Sequence, residues 1–348
     1  FADEAIYIRW AQIMESESTL RFLPLSDGKQ PLFMWAVIPF FKLFSDPLVA
    51  GRMVSVVTGF GTLVGVFLLA RYLFKNIRVA LIAASIYAFS PFTVFFDRMA
   101  LSDSMLTMFG VWILFLGIAT VRTLRLDFAM LTGFALGGAL LTKSPSLFYS
   151  LLLPANVLFL PIAKKVKKLN ISYKNIFSFV GLSLVTYLIG YGIYNILRLG
   201  PNFHLIAQRN KDYVLPLSHL LTKPLDPFLP YIDRVGEWIW MLGPAGLVVL
   251  AVGGLFFGLK RYTRETMVLV AWAFIPLFAQ AEFAKAITAR YILFSFPTLI
   301  TIASVVFLIK NRQIKVIIYG VFTFFLVHAS IIDYQLLTDP QKAPLPQS

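Results

Sequence analysis

PLVAGRMVSVVTGFGTLVGVFLLARYLFKNIRVALIAASIYAF, residues 47–89, decides what kind of protein this is. Its first apolar run, 47–70, exceeds the roughly 20 residues a helix needs to cross a bilayer. A short basic break follows, with Arg71, Lys75 and Arg78, and then a second apolar run begins at 77. The same alternation recurs along the chain, most clearly at 77–96, 176–197, 239–259, 291–309 and 316–332. Composition agrees. The 348 residues are 58% hydrophobic and 16% aromatic, with a mean hydropathy of +0.77. Charged residues make up 14%, where a soluble domain carries about 25%. The fold class expected is an all-α polytopic membrane protein. Cysteine is absent, which excludes disulfides, thiolate zinc sites and cysteine nucleophiles.

The net charge of +14 raises the question of nucleic acid, and its distribution answers it. Basic residues gather in short breaks between apolar runs: 71–78, Arg122 with Arg125, Lys164 to Lys174, Lys260 to Arg264, and Lys310 to Lys315. Loops rich in Lys and Arg stay in the cytoplasm. The cytoplasmic breaks hold the whole excess, so membrane topology explains the charge. A basic footprint on one folded face, as nucleic-acid binding needs, is missing.

Alternating sides then gives a map. Residues 1–46 are the first extracytoplasmic loop, too polar to span, with interfacial helices near 3–16 and 31–44 around the turn PLSDGKQP (24–31). Residues 47–332 form a transmembrane bundle of about ten helices. The expected crossings are 47–73, 77–96, 104–121, 127–142, 144–162, 176–198, 237–259, 266–281, 291–309 and 316–332. Residues 333–348 start an extracytoplasmic segment. Phe1 already lies outside on this map, so a further helix is expected before it, and the C-terminal segment is expected to continue. Trp10, Trp35, Trp238 and Trp240 fall at the outer interface, where an aromatic belt belongs.

The unusual polar residues share one side. Asp3, Glu4, Lys29, Asp97, Asp103, Lys143, Arg209 and Arg290 all map to outer helix ends or outer loops, and ionisable groups near a membrane tend to mark function. They are expected to converge in one cavity. Each alone has an ordinary explanation: Asp3 and Asp103 can cap helices, and Lys29 sits in a Pro-bounded turn. GGALLTKSP (137–145) nearly matches a phosphate-binding loop, but Thr142 replaces the second Gly and no strand precedes it. GFGTLVG (59–65) reads as a small-residue packing face. NIS (170–172) is a chance glycosylation pattern on the inner side. Three histidines and no cysteine give no dedicated metal site, although carboxylates could hold a divalent ion.

Together, DEAIYIRWAQ (3–12), GKQPLFMW (28–35), SDSMLTMF (102–109), LTKSP (141–145) and ARYILFSFP (289–297) resemble the GT-C glycosyltransferases. The nearest types are the protein O-mannosyltransferases and the aminoarabinose-lipid A transferases. The resemblance implies a GT-C transmembrane helix bundle and a polyprenyl-phosphate-linked sugar donor. It assigns Asp3, Glu4 and Asp103 as catalytic carboxylates, with Asp3 matching the first-loop catalytic Asp. Lys29 matches the lysine that approaches the lipid phosphate, and Arg290 with Tyr291 matches a pair facing that phosphate. Lys143, at a hairpin tip, joins them as an anion-binding candidate. Gln30 stands where many relatives carry Pro, which is expected to loosen the turn. Ile6 stands where aminoarabinose transferases tend to carry Arg, which argues against that sugar.

The expected activity is therefore transfer of a sugar from a polyprenyl phosphate to a hydroxyl on a protein, lipid or glycan, with inversion. A lipid phosphate leaves as an anion, so cations must stabilise developing charge, while the acceptor hydroxyl needs a base. Asp3 is the expected base, its basicity raised by partial desolvation. The location expected is the plasma (cell inner) membrane, multi-pass, with the site outside. A transporter or lipid flippase is the alternative; it favours midplane charges and a repeat between halves, and neither is evident.

Overall fold

The structure, a computed structural model, describes residues 2–161, 173–339 and 341. Four of the five lysines between 164 and 174, the pattern at 170–172 and most of the chain after Asp339 lie outside the described residues. The described chain is helical, and its strand-like pairing is a single antiparallel bridge between Val214 and Ala284.

The first loop folds as α1 (Ala2–Ser16), a turn, and α2 (Leu32–Val37) continued by a 3-10 segment at Ile38–Lys42. Then comes α3 (Pro47–Phe74), opened by Asp46, whose carboxylate accepts from Leu48 N at 2.8 Å, and by Pro47 at the first helical position. Such a cap satisfies a donor the helix cannot, and is worth about 1 kcal/mol. α4 (Ile77–Phe89) and α5 (Pro91–Phe96) follow. They occupy the expected crossing 77–96, which breaks at Ser90. Pro91 disfavours helical backbone in the residue before it, and Ser90 is extended.

α6 (Ser102–Thr123) and α7 (Leu126–Thr142) are continuous. The stretch expected to cross at 144–162 instead forms α8 (Leu147–Leu152) between 3-10 segments that begin near Pro145 and Pro154. α9 (Tyr173–Tyr194) leads to a segment with the short helices α10 (Leu205–Tyr213) and α11 (Ser218–Thr222). α12 (Phe228–Leu242) and α13 (Ala245–Arg261) meet at 114°, so the expected crossing 237–259 is bent at Gly243-Pro244. α14 (Thr263–Phe283), α15 (Phe296–Val305) and α16 (Arg312–Thr338) complete the bundle.

Among the described residues, six helical stretches are long and apolar enough to cross a membrane, and a seventh if α12 and α13 count as one. The protein is thus an all-α polytopic membrane protein, as its composition requires.

α3 packs against α4 and α6, α7 against α6 and α9, and α13 against α15 and α16. The glycines of 59–65 serve this packing. A Cβ at Gly59, Gly61 or Gly65 would sit 2.8 Å from Asp97, 2.7 Å from Met108 and 2.5 Å from Val111. On this platform α1 and α2 lie across the N-terminal ends of α3 and α6. Tyr7, Ile8, Phe33 and Met34 form one buried cluster with Val54, Leu101 and Met105. α1 and α2 are therefore fastened by hydrophobic burial, which fixes the first carboxylates over the bundle.

Candidate active site

Asp3 stands in the first turn of α1. Its Oδ2 accepts a short hydrogen bond from Arg290 Nη2, and its Oδ1 lies 3.6 Å from Lys29 Nζ. Arg290 enters from the 3-10 segment Ala289–Ser295, between α14 and α15. Lys29 enters from the turn before α2, where Gly28 takes a left-handed conformation (φ 63°) that only glycine adopts cheaply. The Lys29 ammonium also lies over the rings of Tyr7 and Trp10, 5.0 and 5.2 Å from their centres. Burial pushes the Asp3 carboxyl up, but the Arg290 hydrogen bond and the charges of Arg290 and Lys29 outweigh it. The group is held below the ordinary carboxylate value.

A second pair lies beside the first. Lys143, at the break after α7, donates to Asp103 Oδ1 at 2.6 Å, and Asp103 is buried in the first turn of α6. Tyr291 joins the pairs, with Lys143 4.4 Å and Arg290 5.3 Å from its ring centre. Arg290 Nε is buried and has no hydrogen-bond partner among the described residues. The Tyr7 hydroxyl is raised well above its ordinary value by burial, and by Asp103 and Asp3, so it stays a neutral donor. The Lys29 turn is braced from both sides. Asp27 lies 3.3 Å from Lys29 and accepts from Arg209 of α10 at 2.6 Å, and Gln30 donates to Ser144 at 2.9 Å. A cavity of about 510 Å³ opens between this turn and α10, lined by Ser26, Asp27, Gln208, Arg209 and Asp212.

Three cations and two carboxylates from five separate parts of the chain thus meet where helix ends face one side of the bundle. Residues 28–190 match the family model of dolichyl-phosphate-mannose-protein mannosyltransferases, a stretch that includes Lys29, Asp103 and Lys143. The whole chain is similar to ArnT from Cupriavidus metallidurans in the apo state. That match has 18% identity and a TM-score of 0.59, covering 99% of this chain and 61% of ArnT. ArnT bound to undecaprenyl phosphate gives 17% identity and a TM-score of 0.58, over 97% of this chain and 60% of that one. The chain has the GT-C fold. The oligosaccharyltransferase of Archaeoglobus fulgidus in the apo form matches more distantly, at 15% identity and a TM-score of 0.51, covering 91% of this chain and 49% of that one. Among curated proteins there is no match. The chain spans less than two thirds of the length of these GT-C structures.

On this GT-C bundle the expected site residues separate into groups. Asp3, Lys29, Asp103, Lys143, Arg290 and Tyr291 come together. Glu4 points elsewhere: its carboxylate accepts from Arg52 Nε and Nη2 at 3.0 and 3.2 Å, and from Ala100 N at 2.8 Å. Asp97 is also apart, its Oδ2 held by the Tyr87 hydroxyl at 2.6 Å beside Gly59. Among the described residues, Arg209 reaches the site through Asp27 alone. Gln30 does not loosen the turn; its amide pins it to the Lys143 corner. The expected rise in Asp3 basicity is absent from this arrangement, because two cations outweigh desolvation.

Sequence reading passed over Asp27, Tyr7 and Arg52. A lone arginine inside the apolar run 47–70 was the available signal for Arg52, since an ionisable group there needs a partner. Among the described residues, no group of three or more His, Asp or Glu is arranged to hold a metal ion.

Proposed function

We propose that this chain is a membrane glycosyltransferase that moves a sugar from a polyprenyl phosphate to a hydroxyl acceptor on the extracytoplasmic face. The observation that carries the reading is Asp3 held between Lys29 and Arg290, with Asp103–Lys143 alongside. A phosphate fits this set because Arg290 keeps a buried N–H unspent and Lys29 and Lys143 can turn toward an anion. The lipid phosphate of ArnT's bound undecaprenyl phosphate supports a donor of the same chemistry here.

The resting site suggests an order of events. A donor phosphate drawing on Lys29 and Arg290 competes with Asp3 for them. Losing those partners raises the Asp3 pKa toward and above its ordinary value, so the base strengthens only when the donor is in place. The acceptor oxygen attacks the anomeric carbon and passes its proton to Asp3. The bond from that carbon to the phosphate oxygen breaks, and its electron pair leaves with the polyprenyl phosphate, stabilised by the three cations. One displacement inverts the anomeric centre. The cavity beside α10, lined by carboxylates, amide and guanidinium, offers room for a polar acceptor.

The test is transfer in liposomes containing radiolabelled polyprenyl-phosphate sugars. Wild type is expected to consume one donor, and Asp3→Asn and Lys29→Ala to lose about 10²-fold or more in rate while remaining folded. Donor consumption at wild-type rate by both variants would remove the reading.

A further inference from the structure

A second cavity, of about 380 Å³, lies on the flank of α1 that faces away from Asp3, against the first two turns of α3. Its walls are Glu4, Ile8, Arg9, Gln12, Leu48 and Arg52. Three of these are donors with capacity left. Arg52 spends Nε and one N–H of Nη2 on Glu4, and its Nη1 makes no hydrogen bond among the described residues. Arg9 and Gln12 make no side-chain hydrogen bond or ion pair among the described residues. Glu4 contributes one negative charge against two guanidiniums, and it is already engaged by Arg52 and by Ala100 N. Among the lining side chains the cavity therefore carries an excess of positive charge and of N–H groups, the complement of an oxyanion, with Asp46 acting on Arg52 from outside the lining.

Its position says where such an anion comes from. Arg52 lies near the start of a helix that crosses the membrane, with its side chain 43% exposed. Around it on α3, Val49, Val56, Val57 and Phe60 are exposed apolar side chains, the surface a helix offers to lipid. On the other side Phe40 stacks on Phe44, next to the exposed Leu43 and the interfacial Lys42. An arginine at that depth sits at headgroup level.

We propose that this cavity binds the phosphate of an anionic lipid, as a site separate from the Lys29–Arg290–Lys143 centre. Glu4 is the wall between the two. Arg9 and Arg52 hold the phosphate oxygens, Gln12 donates from the second turn outward, and Ile8 and Leu48 pack against the glycerol or acyl stem.

The test needs no turnover, so its failure is distinguishable from failure of the transferase reading. Short-chain phosphatidic acid is titrated into purified full-length protein in neutral detergent, and binding is followed by thermal shift and native mass spectrometry. Short-chain phosphatidylcholine and inorganic phosphate are run beside it. Wild type is expected to bind phosphatidic acid in preference to phosphatidylcholine. Arg9→Gln should weaken this about tenfold, the usual cost of one charged hydrogen bond, and Arg9→Glu further. Lys42→Gln, outside the cavity, and Lys29→Ala, in the other site, should bind as wild type does. Inorganic phosphate competing at the Arg9-dependent site would support the same anion chemistry from a free source. Equal binding by Arg9→Glu and wild type, equal binding of phosphatidylcholine, or loss of binding in Lys29→Ala would each overturn the proposal.

Discussion

Asp3 and Glu4 are adjacent in the chain, and the ~100° step of a helix sends their carboxylates to different partners. Asp3 meets two cations that a ligand can draw away, while Glu4 is buried against Arg52 and a backbone N–H that has no other acceptor among the described residues. The two substitutions should therefore separate. Glu4→Ala leaves Ala100 N unpaired in a buried position and frees Arg52; it is expected to cost about 2 kcal/mol, modest because Arg52 is part exposed. Asp3→Asn keeps the shape but removes the charge that Arg290 and Lys29 stabilise, so a modest loss of stability is expected while transfer collapses. Thermal unfolding of both variants, set beside their transfer rates, checks this; a stable Glu4→Ala protein with no transfer would place Glu4 in the chemistry instead. The acidic pair was legible as a place to look, because two carboxylates in an apolar chain are conspicuous. Their division of labour was not, since Ala100 and Arg52 are 96 and 48 residues away from Glu4.

At the scale of elements, hydropathy located helices well and their interruptions poorly. The run 47–70 became one helix because nothing in it breaks the backbone pattern. The run 77–96 contains Ser90-Pro91, and apolar composition hid the break. That break matters, because it lets the segment after α5 turn inward with Asp97 on its end. Burial pushes the Asp97 carboxyl up to about 6, opposed in part by the Tyr87 and Ser104 hydroxyls. Its folded value lies above its unfolded one, so the protonated group favours the fold. That contribution is full below the unfolded value of about 4 and is lost as pH rises through about 6. The unfolding temperature in detergent should accordingly fall between about pH 4 and 6.5, and Asp97→Asn should flatten that fall. An unchanged slope in the variant would assign the pH dependence to another group. Where elements meet through side chains, as with Gln30 on Ser144, the sequence offered the wrong sign: a missing proline suggested looseness, and the amide supplied a tie.

The candidate site lies at one end of the helices that carry it, and the charge pattern of the sequence makes that end the expected outer one. The donor chemistry proposed here cannot leave the bilayer, so its phosphate stays at the interface, and a site made of helix ends and interfacial helices is where a protein can meet it. The five basic breaks argue that the opposite end faces the cytoplasm. This placement has a direct test, because these 348 residues contain no cysteine and no native thiol among them competes with an introduced one. Ser18, just after α1, and Thr263, at the start of α14 beside Arg261 and Arg264, are both exposed. In intact cells a membrane-impermeant maleimide should label Ser18→Cys and leave Thr263→Cys untouched until the membrane is permeabilised. Labelling of both in intact cells would overturn the assignment of the two residues to opposite faces, and labelling of Thr263→Cys with Ser18→Cys protected would turn the site to the other side. A cytoplasmic site would then need its donor on the inner leaflet, and the extracytoplasmic acceptor would fall with it.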